Sequence, residues 1–413
     1  MSKTIIIIGA GLAGLSAALQ AAENGCNVKL VSSLPSERAQ SVMAEGGINA
    51  ALNTKDENDS PEEHFTDTIK AACGLADPNA VWGMTQAAPE LVHWLLKLGV
   101  KFNMSGYDDV DLRNFGGQKK KRTAFAQSDT GKQIMTAMID AVRRKEASGM
   151  VERFSHHSFL TLRLCGNICC GCVIRDEYSQ ETVELPGDAV IVATGGMHGL
   201  FGNTTGSLSN TGEVTAELFR LGVPLANGEM IQYHPTTVKC GGKRMLISEA
   251  ARGEGGRLFA MKDGKQWYFM EEKYPELGNL MPRDITAREI WKVSHESEVF
   301  LDMTEISEEI ISNKLSGLAD DCMTYLHKDI RKEPVSVLPG IHYFMGGILV
   351  DEQRTEAPVR RGHDAQVAVP LGLAEALLRV TRLETGHGGA QPDLVHVRPL
   401  AGGRVALAET HAV

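Results

Sequence analysis

The first thirty residues restrict the fold of this chain more than any other stretch. An apolar run at 4–8 leads directly into a glycine turn, and an alanine-rich stretch of helical character continues to about residue 25. A strand, this turn and a helix in that order predict a doubly wound α/β domain that binds a dinucleotide at the N-terminus of the helix. The turn consists of Gly9, Ala10, Gly11, Leu12, Ala13 and Gly14.

The end of the second predicted strand bears on which dinucleotide binds. Residues 27–31 form this strand, and Ser32 and Ser33 follow it where an acidic residue usually holds a ribose hydroxyl. Serine hydroxyls can still hydrogen-bond a ribose, but the charge-assisted contact of a carboxylate is lost. This loop therefore leaves the choice between a nicotinamide and a flavin dinucleotide open.

Charge and hydropathy exclude some classes of partner. The chain has 413 residues, a net charge of -10 and a pI near 5.8, which argues against nucleic acid, since phosphate binding depends on clustered Lys and Arg. The basic run at 119–122 is expected to be a solvated loop. No stretch approaches the roughly 20 apolar residues of a membrane helix. Because the first strand begins too early for a signal peptide, we expect a cytoplasmic protein without a membrane span.

Four of the eight cysteines lie close together, at Cys165, Cys169, Cys170 and Cys172. A pair of C-x-x-C motifs, which is typical of zinc sites, is absent. Residues 168–174 alternate like a strand after a turn at 166–167, so successive cysteines would point to opposite faces and could not converge on one ion. We predict a strand with buried or half-buried thiols and no metal site.

The remaining sequence up to residue 229 is predicted to complete the dinucleotide-binding domain. Helices are expected at 61–73, 79–99, 131–148 and 209–222, and several short antiparallel strands at 151–192. In the stretch 41–52, Gly46 and Gly47 predict backbone packed against a ligand. The last apolar strand, at 189–193, ends in Thr194 and Gly195, which would place free N–H groups at the carboxyl edge of the sheet.

Residues 230–345 are more polar, have shorter elements and are predicted to form a second domain, with the active site in the cleft between the two. Glu249 and Arg252 are three residues apart and can pair on a helical turn. Histidines and arginines beside glycine-rich, weakly charged sequence suit a small dianion, since guanidinium groups bind carboxylates bidentately. The candidate residues are His234, Ser248, Glu249, Arg252, Arg283 and His342.

Many stretches of the sequence occur together, and in the same order, in one known family. They read AEGGINAAL, HWLLKLGVKF, RNFGGQKKKRTAFA, VIVATGG, QYHPT, SEAARGEGG, PRD and HYFMGGI. On these motifs, which span residues 4 to about 355, the chain resembles the flavoprotein subunit of the succinate dehydrogenase and fumarate reductase family, of the FAD-dependent oxidoreductase 2 type.

The resemblance implies FAD as the cofactor and a Rossmann-like FAD-binding domain with an inserted α+β capping domain. The implied boundaries are 1–229 for the first part of the FAD-binding domain, 230–345 for the capping domain and 346–356 for the return to the FAD-binding domain. Besides Gly9 to Gly14, Ser32 and Ser33, the matching cofactor-binding positions are Ser41, Ala44, Glu45, Gly46, Gly47, Phe159, Ala193, Thr194, Gly195 and Glu213.

The resemblance also implies a substrate and a reaction. A fumarate or succinate dicarboxylate would be held by His234, Ser248 and His342, with Phe115 lining the flavin side. Flavin N5 would exchange a hydride with one substrate carbon, Arg283 would pass a proton to the adjacent carbon, and Glu249 and Arg252 would form the relay behind it. An arginine is a poor acid, with an unperturbed pKa above about 12, so it depends on prompt reprotonation through Glu249.

The sequence departs from the family at two places. Many relatives attach FAD covalently through a histidine that this chain replaces with Gln40, so we predict noncovalent FAD, since an amide cannot form that bond. After residue 355 the family's flavin-ring and substrate-arginine motifs do not appear, and residues 357–413 contain no Lys, Ile, Asn, Met, Phe, Tyr or Trp. We expect an atypical tail, out of frame or disordered, with the helical C-terminal domain missing.

These departures leave alternatives open. The leading interpretation is a fumarate reductase or succinate dehydrogenase flavoprotein, inactive if the lost C-terminal motifs are essential. An L-aspartate oxidase-like flavoenzyme shares several of the motifs, and a noncatalytic nucleotide-binding remnant is a third hypothesis. The resemblance implies an iron-sulfur partner subunit, and hence a peripheral position at the inner face of the cell membrane.

Overall fold

The structure is a computed structural model that describes residues 2–115, 118–166 and 168–350, and the backbone of residues 367–368. The elements up to residue 226 are, in chain order, β1 (Thr4–Ile8), α1 (Leu12–Glu23), β2 (Asn27–Ser32), β3 (Ile48–Asn49), α2 (Pro61–Ala71), α3 (Pro78–Leu98), β4 (Leu112–Arg113), β5 (Thr123–Ala124), α4 (Thr130–Ala147), β6 (Val151–Ser155), β7 (His157–Cys165), β8 (Ile168–Asp176), β9 (Thr182–Pro186), β10 (Ala189–Val192), α5 (Glu213–Arg220) and β11 (Leu225–Ala226).

The elements that follow residue 230 are shorter. They are β12 (Ile231–Cys240), β13 (Lys243–Leu246), α6 (Glu249–Gly253), β14 (Arg257–Lys262), β15 (Lys265–Trp267), α7 (Phe269–Lys273), α8 (Arg283–Val293), β16 (Val299–Asp302), α9 (Glu308–Lys314), α10 (Ser316–Asp321), β17 (Val335–Ser336), β18 (Leu338–Phe344), β19 (Gly347–Ile348) and β20 (Val367–Ala368).

A parallel sheet with the strand order β20-β10-β1-β2-β6 forms the centre of the first domain. Strand β1 reads as a continuous apolar run because both of its faces are covered, and Ile6 and Ile7 are fully buried. On one face, α1 and α4 pack together over the sheet, with Leu15 and Met138 in the shared core. The sheet and its helices confirm the predicted α/β fold.

The prediction of several short antiparallel strands at 151–192 is correct for β7, β8 and β9 but wrong for the strands on either side of them. The first and last strands of that region, β6 and β10, are parallel members of the central sheet, and only β7, β8 and β9 form an antiparallel sheet. Period-two alternation identifies a strand but not the direction of its partner. Helices α2, α3 and α4 match the prediction to within about two residues, whereas α5 begins at Glu213, four residues after the expected start.

The basic run at 119–122 is not simply a solvated loop. Arg122 is buried and forms ion pairs with Asp59 over 2.8 Å and with Asp67 over 2.9 Å. Lys120 and Lys121 pair with glutamates of the neighbouring segment. The run therefore binds α2 and the loop before it through ion pairs. The sequence did not predict these pairs because the acidic partners lie about sixty residues away.

The cysteine-rich hairpin differs from the prediction in one pair. Cys165 and Cys170 form a disulfide across the end of the β7–β8 hairpin, where thiols were expected. Cys169 and Cys172 are buried free thiols, as expected, and burial raises the pKa of Cys172 to about 12. Within the described ranges, no group of three or more His, Cys, Asp or Glu side chains could hold a metal ion.

Residues between Val238 and Val337 enclose a hydrophobic core of their own, which includes Leu258, Phe269 and Leu301. The sheet β13-β12-β18 and the sheet β15-β14-β16-β17 surround this core, and α8 packs on β12. The chain then returns to the first domain, where β19 pairs with β11. The predicted boundary numbers of the domains stay predictions.

Val367 and Ala368 add a fifth parallel strand to the central sheet beside β10. The expectations of an atypical tail and of a missing helical domain otherwise fall outside the described residues. Of the helices that the structure describes, none combines the length and the apolar character that a membrane crossing requires.

Candidate active site

The glycine turn after β1 brings the start of α1 close to the strand. Gly9 has a φ of 109°, and a Cβ there would lie 2.2 Å from the carbonyl oxygen of Ala193. A Cβ on Gly14 would lie 1.8 Å from the carbonyl oxygen of Gly9, so helix and strand could not approach this closely with any other residue. Among the described residues, a Cβ on Gly11 would meet only Oγ of Ser41 at 3.5 Å and Cβ of Ala39 at 3.8 Å, which are ordinary contact distances. A pyrophosphate can therefore approach the backbone at Gly11.

A cavity of about 430 Å³, here called the nucleotide cavity, lies at the carboxyl edge of the parallel sheet. The N-terminus of α1 opens into it, and the backbone N–H of Leu12 donates to Oγ of Ser41 over 3.2 Å. The predicted cofactor-binding residues that line it are Gly9, Ala10, Gly11, Leu12, Ala13, Ser32, Ser33, Ser41, Phe159, Ala193, Thr194, Gly195 and Glu213. Gly14 is absent from this lining because it packs helix against strand.

The ribose side of the nucleotide cavity has contacts that the sequence did not indicate. The Ser32 hydroxyl donates to the carbonyl oxygen of Leu34 over 2.8 Å, so it can only accept a hydrogen bond from a ribose. Arg38 and His157 also line this cavity. Neither residue belongs to a motif recognised in the sequence. His157 is the first residue of β7, the strand after β6, and the sequence did not predict that β6 joins the central parallel sheet.

A second cavity of about 330 Å³, the substrate cavity, adjoins the first. Gln40, Tyr343 and Met345 line both cavities, so Gln40 lies where the two meet. Ala44, Glu45, Gly46 and Gly47, which were predicted as cofactor-binding positions with the AMP and pyrophosphate half, line the substrate cavity and not the nucleotide cavity. The predicted substrate residues Phe115, His234, Ser248, Glu249 and His342 and the predicted catalytic Arg283 lie around it as well.

Short elements of the second domain deliver these side chains. His234 lies on β12 and His342 on the neighbouring β18, and their rings are 5.1 Å apart. Ser248 caps α6, where its hydroxyl accepts from the N–H of Ala250, and Glu249 is the first residue of that helix. Arg283 is the first residue of α8. Two strand residues and two helix starts thus converge on one space.

Arg283 and Arg252 are connected through one carboxylate. Arg283 Nε donates to Oε2 of Glu249 over 2.8 Å, and Arg252 Nη2 donates to Oε1 over 2.9 Å. Nη1 of Arg283 donates to Oε1 of Gln232 over 2.8 Å. Arg252 lies behind Glu249, fully buried, and also donates to the carbonyl oxygen of Asn279. The predicted pair of Glu249 and Arg252 is present, and it is buried rather than on the surface.

Burial and charge act against each other on Glu249. Burial is the largest influence and raises its pKa, but Arg283 and Arg252 together hold the pKa well below its usual range. Glu249 is therefore an ionised carboxylate at neutral pH. Its two oxygens accept charge-assisted hydrogen bonds from the two guanidinium groups, which fixes the orientation of both.

Both histidines at the cavity are neutral. Burial, with the nearby charge of Arg283, lowers the pKa of His342 to about 3 and lowers that of His234 as well. His342 Nδ1 lies 2.7 Å from the hydroxyl oxygen of Thr205. His234 Nδ1 lies 3.1 Å from the carbonyl oxygen of Thr236.

Residues Arg113 and Ala124 hold the loop that carries Glu45, Gly46 and Gly47 in place. Gly47 has a φ of 135°, and a Cβ there would lie 2.5 Å from the carbonyl oxygen of Ala124. Arg113 donates to the carbonyl oxygens of Glu45 and Gly46, and its guanidinium carbon lies 4.4 Å from the ring centre of Phe125. Burial, reinforced by Asp321, raises the pKa of Glu45 to about 8.

Sequence reasoning missed several residues of the substrate cavity. Gln232 lies within the QYHPT motif and could have been assigned on that ground. Thr205 had a weaker signal, as a small polar residue ten positions after Gly195. Lys243, Arg244, Asp321 and Tyr325 also line the cavity, from elements whose approach only the fold reveals.

Comparison with known proteins agrees with this geometry. The model of the FAD binding domain family matches residues 4–365. The succinate dehydrogenase flavoprotein subunit of Bacillus subtilis is 43% identical over 366 residues, which cover 86% of this chain and 62% of that protein. The 8-methylmenaquinol:fumarate reductase flavoprotein subunit of Wolinella succinogenes is 33% identical over 359 residues, which cover 84% of this chain and 57% of that protein.

Superposition on solved structures leads to the same group of proteins. A FrdA variant of the E. coli quinol fumarate reductase superposes with a TM-score of 0.82 at 27% identity, covering 95% of this chain and 72% of that one. Sdh1 of Mycobacterium smegmatis superposes with a TM-score of 0.75 at 29% identity, covering 92% and 67%. The chain spans less than two thirds of the length of the two sequence relatives above. The resemblance is confirmed, and the chain belongs to the FAD-binding domain family that includes the flavoprotein subunits of succinate dehydrogenase and fumarate reductase.

Proposed function

We propose that this chain is an FAD-dependent oxidoreductase that interconverts fumarate and succinate in the substrate cavity. The observation that supports this most strongly is the hydrogen-bonded chain of Arg283, Glu249 and Arg252 beside two neutral histidines. A guanidinium and imidazole N–H groups are donors for carboxylate oxygens. A small dianion fits this set better than a neutral or cationic substrate.

The residues of the nucleotide cavity fit FAD. Gly9 and Gly14 allow the close turn, the first turn of α1 points backbone N–H groups toward a pyrophosphate, and Gln40 lies where the flavin half would enter the substrate cavity. Bound FAD would supply the hydride acceptor or donor. The protein itself then has to hold the dicarboxylate, exclude water and move one proton.

Arg283 is the proposed proton donor in the direction of fumarate reduction. Its guanidinium would give one proton to the substrate carbon that does not receive the hydride. Glu249, ionised in the resting site and hydrogen-bonded to both arginines, would pass a proton from Arg252 to Arg283, and Arg252 would regain its proton from solvent. His234, His342 and Ser248 would bind the carboxylates, and a carboxylate held by such donors makes the alkene more electrophilic.

We further propose that FAD is held without a covalent bond. The side chain at the junction of the two cavities is Gln40, and an amide nitrogen is not a nucleophile that can attach a flavin. Acid precipitation should therefore release the yellow colour into the supernatant. Yellow colour that stays with the precipitate would contradict this part of the proposal.

The resemblance extends the proposal to partners. Relatives are named as subunits, so we propose that the electron partner is an iron-sulfur subunit, through which the chain takes a peripheral position at the membrane.

One set of measurements tests the function. The purified chain, saturated with FAD, is titrated anaerobically with succinate while the flavin absorbance is followed. Bleaching by succinate supports the proposal. Bleaching by aspartate with release of ammonia would instead favour an amino-acid oxidase. A protein that keeps no yellow colour after unbound FAD is removed by gel filtration would favour a noncatalytic remnant.

A further inference from the structure

Thr205 makes a direct contact with one of the two cavity histidines. Its Oγ lies 2.7 Å from Nδ1 of His342, and both residues line the substrate cavity. Thr205 lies in the segment that follows β10, in the first domain, whereas His342 lies on β18 of the second. The hydroxyl therefore connects the two domains at the cavity wall.

The hydroxyl has one hydrogen to donate, and the surroundings decide where it goes. The alternative acceptor is the carbonyl oxygen of Ile341, 3.5 Å from Thr205 Oγ, which is long for a hydrogen bond. That carbonyl already accepts from the N–H of Thr205 over 2.9 Å and from the hydroxyl of Thr204 over 3.1 Å. Nδ1 of His342 is closer, at 2.7 Å, and in the described part of the chain has no competing donor of this kind beside it, so we assign the hydrogen of the Thr205 hydroxyl to Nδ1.

This donation determines the state of the imidazole. A neutral imidazole carries one N–H, and a ring whose Nδ1 accepts a hydrogen bond carries it on Nε2. Carboxylates only accept hydrogen bonds. Nε2–H is a donor that a substrate carboxylate needs, whereas the other tautomer would present a lone pair to it.

Accordingly, we infer that Thr205 is a positioning residue, which holds His342 in the Nε2–H form and thereby makes it a carboxylate donor. The inference rests on the proposed function, in that the ligand of His342 is taken to be a dicarboxylate. Thr205 acts through His342 and needs no contact of its own with the substrate.

The backbone around Thr205 explains why the hydroxyl keeps its place. Ile341 N–H donates to the carbonyl oxygen of Asn203 over 2.8 Å, and Thr204 forms a parallel bridge with Ile341. Behind this bridge, His198 Nδ1 lies 3.0 Å from Oγ of Thr204. The His198 ring fills the space beside Gly206, where a Cβ would lie 2.2 Å from it. The segment is thus fixed on both sides.

His234 offers an internal contrast. Its Nδ1 lies 3.1 Å from the carbonyl oxygen of Thr236 and 3.3 Å from the N–H of the same residue. One contact favours a hydrogen on Nδ1 and the other favours a lone pair there, so no single group sets its tautomer. The inference therefore applies to His342 alone.

The test compares Thr205→Val, which has the same shape without the hydroxyl, with Thr205→Ser, which restores it. Protein saturated with FAD and labelled with ¹⁵N-histidine gives the tautomer by NMR, and the signals of His342 are identified by their loss in His342→Asn. The original protein and Thr205→Ser should show neutral Nε2–H, and Thr205→Val should lose this preference. Fumarate affinity, measured from the flavin spectrum, should fall about tenfold in Thr205→Val, the size of one hydrogen bond.

Thr85→Val is the matched control for loss of a buried hydroxyl. Thr85 is buried in α3, away from both cavities, and its hydroxyl donates to the Trp82 carbonyl oxygen. This variant should leave tautomer and affinity unchanged. An unchanged tautomer in Thr205→Val, or a hydrogen on Nδ1 in the original protein, would overturn the inference, and the second result needs no variant to fold. A protein with the expected tautomers that binds no dicarboxylate would overturn the proposed function and leave the positioning role intact.

Discussion

Arg283 Nε and Glu249 Oε2 lie 2.8 Å apart, so a guanidinium at the wall of the substrate cavity is tied to a carboxylate that is itself buried. Because Arg252 holds the other oxygen, Glu249 cannot turn away without losing a charged hydrogen bond. The direction in which Arg283 points is thereby fixed before any substrate arrives. Preorganised charge of this kind is what a reaction that develops negative charge on a substrate needs.

Replacing Arg283 by lysine should abolish most turnover while leaving FAD binding intact. Lysine retains a charge but cannot donate to Glu249 and Gln232 in the same plane. If Arg283 is the proton donor, fumarate reduction should fall by about 10² to 10⁴-fold. Arg288→Lys is the control, because Arg288 lies on the same helix, exposed, and pairs with Asp284 on the surface. Equal activity of Arg283→Lys and the original protein would exclude the proposed role.

The glycine turn should tolerate no methyl group at Gly14. A Cβ there would lie 1.8 Å from the Gly9 carbonyl oxygen, so Gly14→Ala should separate helix from strand and prevent FAD binding. Gly83→Ala should have the opposite effect and leave the fold intact, because Gly83 lies within α3 with no atom within 4 Å of its ideal Cβ. Alanine there should stabilise the protein by about 0.5 to 1 kcal/mol. Flavin fluorescence and urea unfolding measure both effects, and FAD binding by Gly14→Ala would contradict the assignment of this turn.

His342 should make the protein less stable as the pH falls. The folded state holds this ring neutral down to a pKa of about 3, while in the unfolded chain it takes up a proton below pH 6.5. The unfolded state therefore binds more protons between these values, and the free energy of unfolding falls by about 1.4 kcal/mol per pH unit for this one group. His342→Gln removes the contribution.

Urea unfolding between pH 6.5 and pH 5 checks this. Glu45 acts in the opposite sense, because its pKa is raised to about 8 and it stabilises the fold as the pH falls toward its unfolded value of 4.5. Both proteins contain Glu45, so the difference between their slopes reports on His342. Identical slopes for His342→Gln and the original protein would show that the histidine is not held neutral.

Arg122 should contribute far more to stability than an exposed arginine. Its guanidinium pairs with Asp59, which is also buried, and with Asp67. Arg122→Met should cost about 3 kcal/mol, since it leaves a buried carboxylate without its cation. Arg143→Met, which removes an exposed pair with Glu37, should cost less than about 1 kcal/mol. Similar losses in urea unfolding would contradict the structural role of Arg122.

The parts of the fold and site that could be predicted are those with local signals. The turn from Gly9 to Gly14 can be recognised in the sequence because all of the residues that form it are consecutive. Glu249 and Arg252 are three positions apart, so their pairing follows from helix geometry. In both cases, the interacting atoms are neighbours in sequence, and the structure places them as expected.

The remainder depends on contacts between distant segments. Strand β6 looks like any half-buried strand, and only α4 before it carries the chain across to pair in parallel with β2. Arg122 finds Asp59 across sixty-three residues, and Thr205 reaches His342 across one hundred and thirty-seven. No periodicity records such pairs, so the sequence could name His342 but not the group that orients it.

Fumarate-dependent oxidation of a reduced viologen dye tests the central proposal most directly. The chain saturated with FAD, and in parallel its Arg283→Lys variant, is mixed with reduced dye under nitrogen, and fumarate is then added. The proposal predicts dye oxidation that requires both FAD and fumarate and that falls at least about 10²-fold in the variant. Oxidation that is independent of fumarate, or equal in both proteins, would contradict it.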